Sequence, residues 1–348
     1  MANFGSVPLS RARGIGSLPD LLEEREGEKA LIRAFRFAEI PLAIRDNLEM
    51  PIPIAAISQL FAHGARQVGC RSFGLDVGER MGYRSFGSWA DYGAAAETLG
   101  DALKRLGATT QAQITGSRFA LQPSGVHCVW RLISPVVGGD AIQYSDHIIF
   151  PMLGLARVYL GPDWRPDWIE VNYPRDQSAN LIEERLQVPM KFACPCIGIP
   201  FTPADLRRRR PGSAGTATRE ALRSVLADVA MNECAEPARS FSAIVAMRLL
   251  DGQSDIDGAA RLAGLSVQGL QRRLRQKGYF YREILDATRQ SSAATLLLET
   301  SLPIVEIAYR LGYEEHANFT RAFKRWTGCS PQEYRTLIRR NREEPSPD

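Results

Sequence analysis

A tandem echo near the C-terminal end constrains this chain more than any other feature. Ala260-Arg-Leu-Ala-Gly-Leu265 is matched by Ala308-Tyr-Arg-Leu-Gly-Tyr313, 48 residues further on. Past the glycine, Leu270 and Leu274 take the places of Phe319 and Phe323, with one residue fewer in the turn. Arg272 then falls opposite Arg321, and Arg275 opposite Lys324. A duplicated unit of this size implies two supersecondary modules of the same design.

The second copy reads as two short helices. Ile304, Ile307, Ala308 and Leu311 recur at helical spacing, and Gly312 stands where that helix must stop. Phe319, Ala322, Phe323 and Trp326 form the apolar stripe of the next helix, whose other face carries Asn318, Arg321, Lys324 and Arg325. Two helices across a tight glycine turn, with a basic outer face on the second, describe a helix-turn-helix. Ser330 and Pro331 are suited to cap and start a third helix.

In the first copy, Ile256–Ala263 is the expected scaffold helix and Val267–Lys277 the recognition helix. A helix of residues 241–251 precedes them. A linker helix from about Tyr281 to Glu299 joins the copies, and at 1.5 Å per residue it spans roughly 27 Å. That length suits two recognition helices in successive major grooves, about 34 Å apart.

On these residues the stretch resembles the DNA-binding domain of the AraC/XylS family of bacterial transcription regulators. Ala260, Gly264, Leu265, Ser266, Leu270, Arg272 and Leu274 carry the likeness in the first half. Ile307, Ala308, Gly312, Tyr313, Phe319, Arg321, Phe323, Lys324, Gly328, Pro331 and Tyr334 carry it in the second. The resemblance implies base-edge contacts from Gln268, Gln271 and Arg272 in one recognition helix, and from His316, Asn318 and Arg321 in the other. Arg pairs in bidentate fashion with guanine and Gln with adenine. Ser266, Arg273, Arg275, Lys324 and Arg325 are expected on phosphates, which position without specifying. Ala317 and Gly269 depart from the pattern; a glycine inside a helix costs about 1 kcal/mol against alanine unless the backbone must approach closely.

The charge distribution agrees. Net charge is +4, and residues 253–340 hold 14 Lys and Arg against 9 Asp and Glu. The remaining sequence is almost balanced, so the surplus sits where an electrostatic DNA footprint needs it.

The 348 residues, 45% hydrophobic, suffice for two domains with real cores. No apolar run reaches eighteen residues and the N-terminus has no signal-peptide pattern. Six scattered cysteines fit reduced thiols. A cytoplasmic, nucleoid-associated bacterial protein without a membrane partner is the expectation.

The N-terminal half mixes periods. Residues 1–18 are expected as a flexible arm. Helices are expected over 19–46, 54–68, 92–106, 141–160 and 176–186, and a compact turn over 71–81. Residues 113–122 and 125–133 read as a hairpin about Pro123-Ser-Gly125. Residues 168–173 and 191–198 read as strands. The fold class is therefore an α+β domain over 19–206, then an all-α domain with two helix-turn-helix units joined by a linker helix over 239–340. This first half is similar to the N-terminal effector-binding domain of the OruR/VirS branch of the same family. The resemblance implies a small-molecule effector, homodimerisation and RNA polymerase as a further partner, with activation the expected outcome. Arg207-Arg-Arg-Arg-Pro-Gly-Ser, with small polar residues after it, marks a solvated linker. A connecting helix over 219–235, with Leu222, Val225, Leu226 and Val229 apolar, fills the rest of 207–238, and 341–348 is a tail.

No catalytic motif appears, so no enzyme is expected, and no cofactor. Cys194-Pro-Cys196, His127-Cys128 and His147 match no usual metal-site spacing; a metal or thiol sensor stays as an alternative, as does a ligand-independent regulator. Trp130, Arg131 and Tyr144 are the candidate ligand residues, since aromatics with one charged group suit a small organic molecule.

Overall fold

The computed structural model describes residues 6–134, 141–211, 222, 223, 225 and 236–343, the last six by backbone alone. The chain divides into two compact units, one within Ser6–Cys234 and one within Ala235–Asp348. The expected connecting helix over 219–235 lies outside the described residues, except for three of its positions.

The first unit is built on helices α1 (Leu18–Glu26), α2 (Glu28–Phe37), α3 (Ile54–Val68), α4 (Phe73–Arg80), α5 (Gly87–Ala94), α6 (Leu99–Ala108), α7 (Ala141–Leu160), α8 (Ala179–Leu186) and α9 (Pro203–Leu206). A five-stranded sheet has the order β3 (Arg118–Ser124), β4 (His127–Ile133), β7 (Ile197–Phe201), β5 (Ile169–Glu170) and β6 (Met190–Lys191). Its pairings are antiparallel except β5 with β6. The hairpin turns at Gly125, whose φ of 61° suits glycine.

Helix α7 is the axis of this unit. It runs through Pro151 and is buried on almost every side. Polar residues on it find partners: Gln143 Oε1 accepts from the Gly74 amide at 2.7 Å, and Asp146 takes Arg71 at 2.6 Å and the Tyr173 hydroxyl. Burial without such partners would be costly.

Several expectations need correction. Residues 71–81 are not a compact turn with a short apolar segment; Phe73–Arg80 form α4. Gly74 and Gly78 let its backbone lie against α7, where a Cβ would stand 2.2 Å from the Gln143 oxygen and 2.3 Å from that of His147. Ser72 stands at the N-cap position without a side-chain cap bond, and the Gln143 side chain from α7 takes the Gly74 amide instead. Second, residues 6–18 are not a loose arm. Leu9–Arg11 form β1, paired antiparallel with β2 (Pro51–Pro53), and Val7, Leu9, Ala12, Ile15 and Leu18 are buried. Third, the basic run is no free linker at its start. The Arg208 carbonyl accepts from Leu99, the Arg210 amide donates to Glu97, and Arg210 Nη1 donates to the Ala94 carbonyl at 2.9 Å.

The second unit is all helical: α10 (Ala238–Leu249), α11 (Ile256–Leu262), α12 (Val267–Arg275), α13 (Tyr281–Glu299), α14 (Ile304–Arg310), α15 (His316–Thr327) and α16 (Pro331–Glu343). The last extends into the expected tail. Helix α13, 19 residues and about 28 Å long, packs against α10, α14 and α16. Ala293 and Leu297 on α13, Ile307, Ala308 and Leu311 on and after α14, and Phe319 and Phe323 on α15 share one core.

Candidate nucleic-acid interface and effector cavity

The two helix-turn-helix units are built alike. In the first, Asp255 caps α11 by accepting from the Gly258 amide at 2.8 Å, and buried Arg248 holds the same carboxylate at 2.6 Å. Gly264 turns at φ 66°, and the Leu265 amide reaches back to the Ala260 carbonyl at 2.9 Å. Ser266 then caps α12, accepting from the Gly269 amide at 3.1 Å. In the second, Gly312 turns at φ 73° and the Tyr313 amide returns to Ala308 at 3.0 Å. Ser330 and Glu333 exchange bonds at the start of α16 as a capping box.

These turns aim the recognition helices. Leu270 and Leu274 bury one side of α12, leaving Gln268, Arg272 and Arg275 exposed and Gln271 and Arg273 half-buried. Ser266 is exposed at its start. Phe319, Ala322 and Phe323 bury one side of α15, leaving His316, Ala317, Asn318, Arg321, Lys324 and Arg325 exposed. Arg272, Arg273 and Arg275 make no ion pair among the described residues. The other helix is more organised: Arg321 donates to Asn318 Oδ1, and Arg325 lies 3.5 Å from Asp286 on the linker helix.

Two arginines of α13 were not foreseen. Arg282 and Arg289 line a polar groove with Asn318, Arg321 and Arg325. Their contribution depends on packing against α15, for which the linker sequence offers no signal. The loop between α10 and α11 meets the second helix-turn-helix through backbone. A Cβ on Gly312 would stand 2.6 Å from the Gly252 carbonyl oxygen, and one on Gly252 3.1 Å from that of Tyr309.

In the N-terminal unit a cavity of about 60 Å³ lies between α5, α7 and the sheet. Trp130 and Tyr144 both line it; Arg131 does not. Neighbouring residues on a strand face opposite ways, and Arg131 is held on its own side by Glu170, at 2.8 Å and 2.9 Å. Trp89, Phe119 and Gln113 line the cavity and were missed, since helix α5, β3 and a 3₁₀ turn bring them together from distant stretches. The rings form a row, Trp89 to Phe119 at 5.8 Å and Phe119 to Trp130 at 4.7 Å. Burial pushes the His147 imidazole in the same wall down to about 4.

The remaining cysteine and histidine positions do not gather. Among the described residues no group of three or more His, Cys, Asp or Glu side chains surrounds a metal position. His127 instead meets Asp167 at 2.7 Å. No helix of the described residues is long and apolar enough to cross a membrane.

Residues 30–210 match the arabinose-binding N-terminal domain of AraC transcription regulators, and residues 259–337 match a helix-turn-helix domain. The ornithine utilization regulator of Pseudomonas aeruginosa is 42% identical over 81 residues, 23% of this chain, which thus spans about a quarter (24%) of that regulator. The regulator VirS of Mycobacterium tuberculosis is 22% identical over 331 residues, covering 94% of this chain and 96% of VirS. A solved structure of the transcriptional regulator CdpR from Pseudomonas aeruginosa aligns over 88% of this chain and 97% of its own, at 22% identity and a TM-score of 0.43. With more than half its length matched to their N-terminal domain and a helix-turn-helix domain behind it, this chain belongs to the AraC family of transcription regulators.

Proposed function

We propose that the protein binds a two-part operator, with α12 and α15 entering adjacent major grooves, in response to a small effector held by the N-terminal half. The observation that supports this most is the matched pair Arg272 and Arg321. Both are exposed, one on each of the two recognition helices, with the linker helix α13 between them in the chain. Gln268, Gln271, Arg272, His316, Asn318 and Arg321 read bases in this reading. Ser266, Arg273, Arg275, Lys324 and Arg325 meet phosphates. The DNA-reading part in this proposal is the stretch 239–340.

Genome-wide footprinting of the full chain, followed by protection mapping at moderate salt, tests the DNA half. Two protected blocks one helical turn apart are expected. Scattered phosphate protection without a preferred site would overturn it.

The aromatic-lined cavity favours a ligand-responsive regulator over one whose N-terminal half only oligomerises. We take the N-terminal half also to form a homodimer, and the protein to activate transcription with RNA polymerase. A metabolite screen by thermal shift on the full chain, sedimentation, and a promoter fusion test these points. The effector reading fails if no metabolite of any class raises the melting temperature or alters operator binding.

A further inference from the structure

We infer that the cavity takes an uncharged, largely apolar organic molecule bearing one hydrogen-bond acceptor, such as a ketone, ester or lactone, seated against Trp130 and Gln113. This rests on the effector reading above and names the chemistry of that site.

Two buried donors carry the inference. Trp130 is 2% exposed and Gln113 is 5% exposed, and both line the cavity. Trp130 Nε1 and Gln113 Nε2 are buried, and neither has a hydrogen-bond partner. Buried polar groups are almost always paired, so two orphans on one void mark a place where a partner is missing. An indole nitrogen can only donate. The absent partner is therefore an acceptor. The contrast with Trp89 in the same wall is instructive, because its Nε1 is already satisfied by Thr109 Oγ1 at 3.1 Å.

The wall also excludes charge. No Lys, Arg, Asp or Glu lines the cavity, and Arg131, the nearest cation in sequence, is turned away onto Glu170. His147 stays neutral through its burial. A carboxylate or ammonium group would enter without a counter-charge, which apolar surroundings penalise heavily. The row of Trp89, Phe119 and Trp130 offers a flat apolar face for a ring or chain. At about 60 Å³ the void is small, so the ligand is compact or wedges the rings apart.

Three probes of similar shape separate the possibilities, using the full chain and monitoring both melting temperature and tryptophan fluorescence. They are 4-phenylbutan-2-one, n-butylbenzene and 4-phenylbutanoate. The ketone is expected to bind at least about tenfold more tightly than the hydrocarbon, as a hydrogen bond to a buried donor allows. The carboxylate is expected not to bind. Trp130→Phe and Gln113→Leu should each still bind the hydrocarbon and shrink the ketone's advantage over it, compared within each variant. Retained hydrocarbon binding shows that the variant has kept its cavity.

Equal binding of ketone and hydrocarbon, a preference for the carboxylate, or no binding of any probe would overturn the assignment. So would a ketone advantage that survives in both variants. If the metabolite screen meanwhile finds a charged effector, the regulator still senses a ligand and only its chemical class is wrong. If it finds none, the sensing itself fails.

Discussion

Arg289 of the linker helix holds the turn of the second helix-turn-helix: its Nη2 donates to the Gly312 carbonyl at 2.9 Å and its Nε to the Leu311 carbonyl at 2.8 Å. The same guanidinium lies over the Tyr313 ring, 4.3 Å from its centre. One side chain thus ties the linker to the residues that set the angle of α15. Arg289→Ala should lower the stability of the C-terminal unit by about 1–3 kcal/mol, through lost charge-assisted bonds and an uncovered ring. Arg289→Lys should recover little, since a point charge cannot span both carbonyls. Chemical unfolding followed by circular dichroism measures this.

Arg272 and Arg321 occupy the same register in the two units, both exposed beside a buried helix face. Arg272→Ala and Arg321→Ala should each weaken specific operator binding by roughly 1–3 kcal/mol while leaving the melting temperature unchanged. Arg275→Ala and Lys324→Ala should weaken binding to all sequences alike and reduce the salt slope by about one each. Fluorescence anisotropy at several salt concentrations separates the two effects.

Gly74 lies where α4 crosses α7, with no room for a methyl group beside the Gln143 carbonyl. Gly74→Ala should destabilise the N-terminal unit by about 1–3 kcal/mol or more, the range for overpacking. Gly82 has φ −80° and nothing near its Cβ position, so Gly82→Ala should be close to neutral. Differential scanning calorimetry of the two variants provides the comparison.

His147 is buried in the cavity wall, and burial pushes it from 6.5 down to about 4. The unfolded chain takes up this proton near 6.5, whereas the folded one resists until about 4. The stability linked to His147 is therefore complete above pH 6.5 and declines as pH falls through that window, by up to about 3 kcal/mol. His63 is also lowered, so the useful measure is a difference. Stability of wild type and His147→Gln measured from pH 7 to 4.5 should converge toward the acid end.

The C-terminal unit was legible because its signals are local. Capping serines, glycines after a scaffold helix and the Phe319–Phe323 stripe all act within a few residues, and α13 spans the expected Tyr281 to Glu299. The N-terminal unit resisted wherever stability came from afar. Helix α4 contains two glycines, which read as a turn until α7 is seen against them. Strand β1 is three residues long, and Pro51-Ile-Pro53 reads as a breaker. β2, however, pairs with β1 alone and is an edge strand, where proline's missing donor is tolerated. Residues 92–106 looked like one helix, yet Thr98 caps α6 by accepting from the Asp101 amide at 3.2 Å and splits the stretch. Trp130 and Tyr144 could be picked as aromatics beside the hairpin, but strand alternation carried Arg131 to the other face.

The contact between Gly252 and Gly312 sets backbone against backbone, with no side chain between them to flex or be resized. A side chain at Gly312 must displace the Gly252 carbonyl, and with it the loop between α10 and α11. If α12 and α15 read one operator as proposed, its halves should keep their helical phase: one inserted base pair would rotate the second target by roughly 35° around the duplex. With no soft joint there to absorb that rotation, the DNA would have to take up the torsion itself.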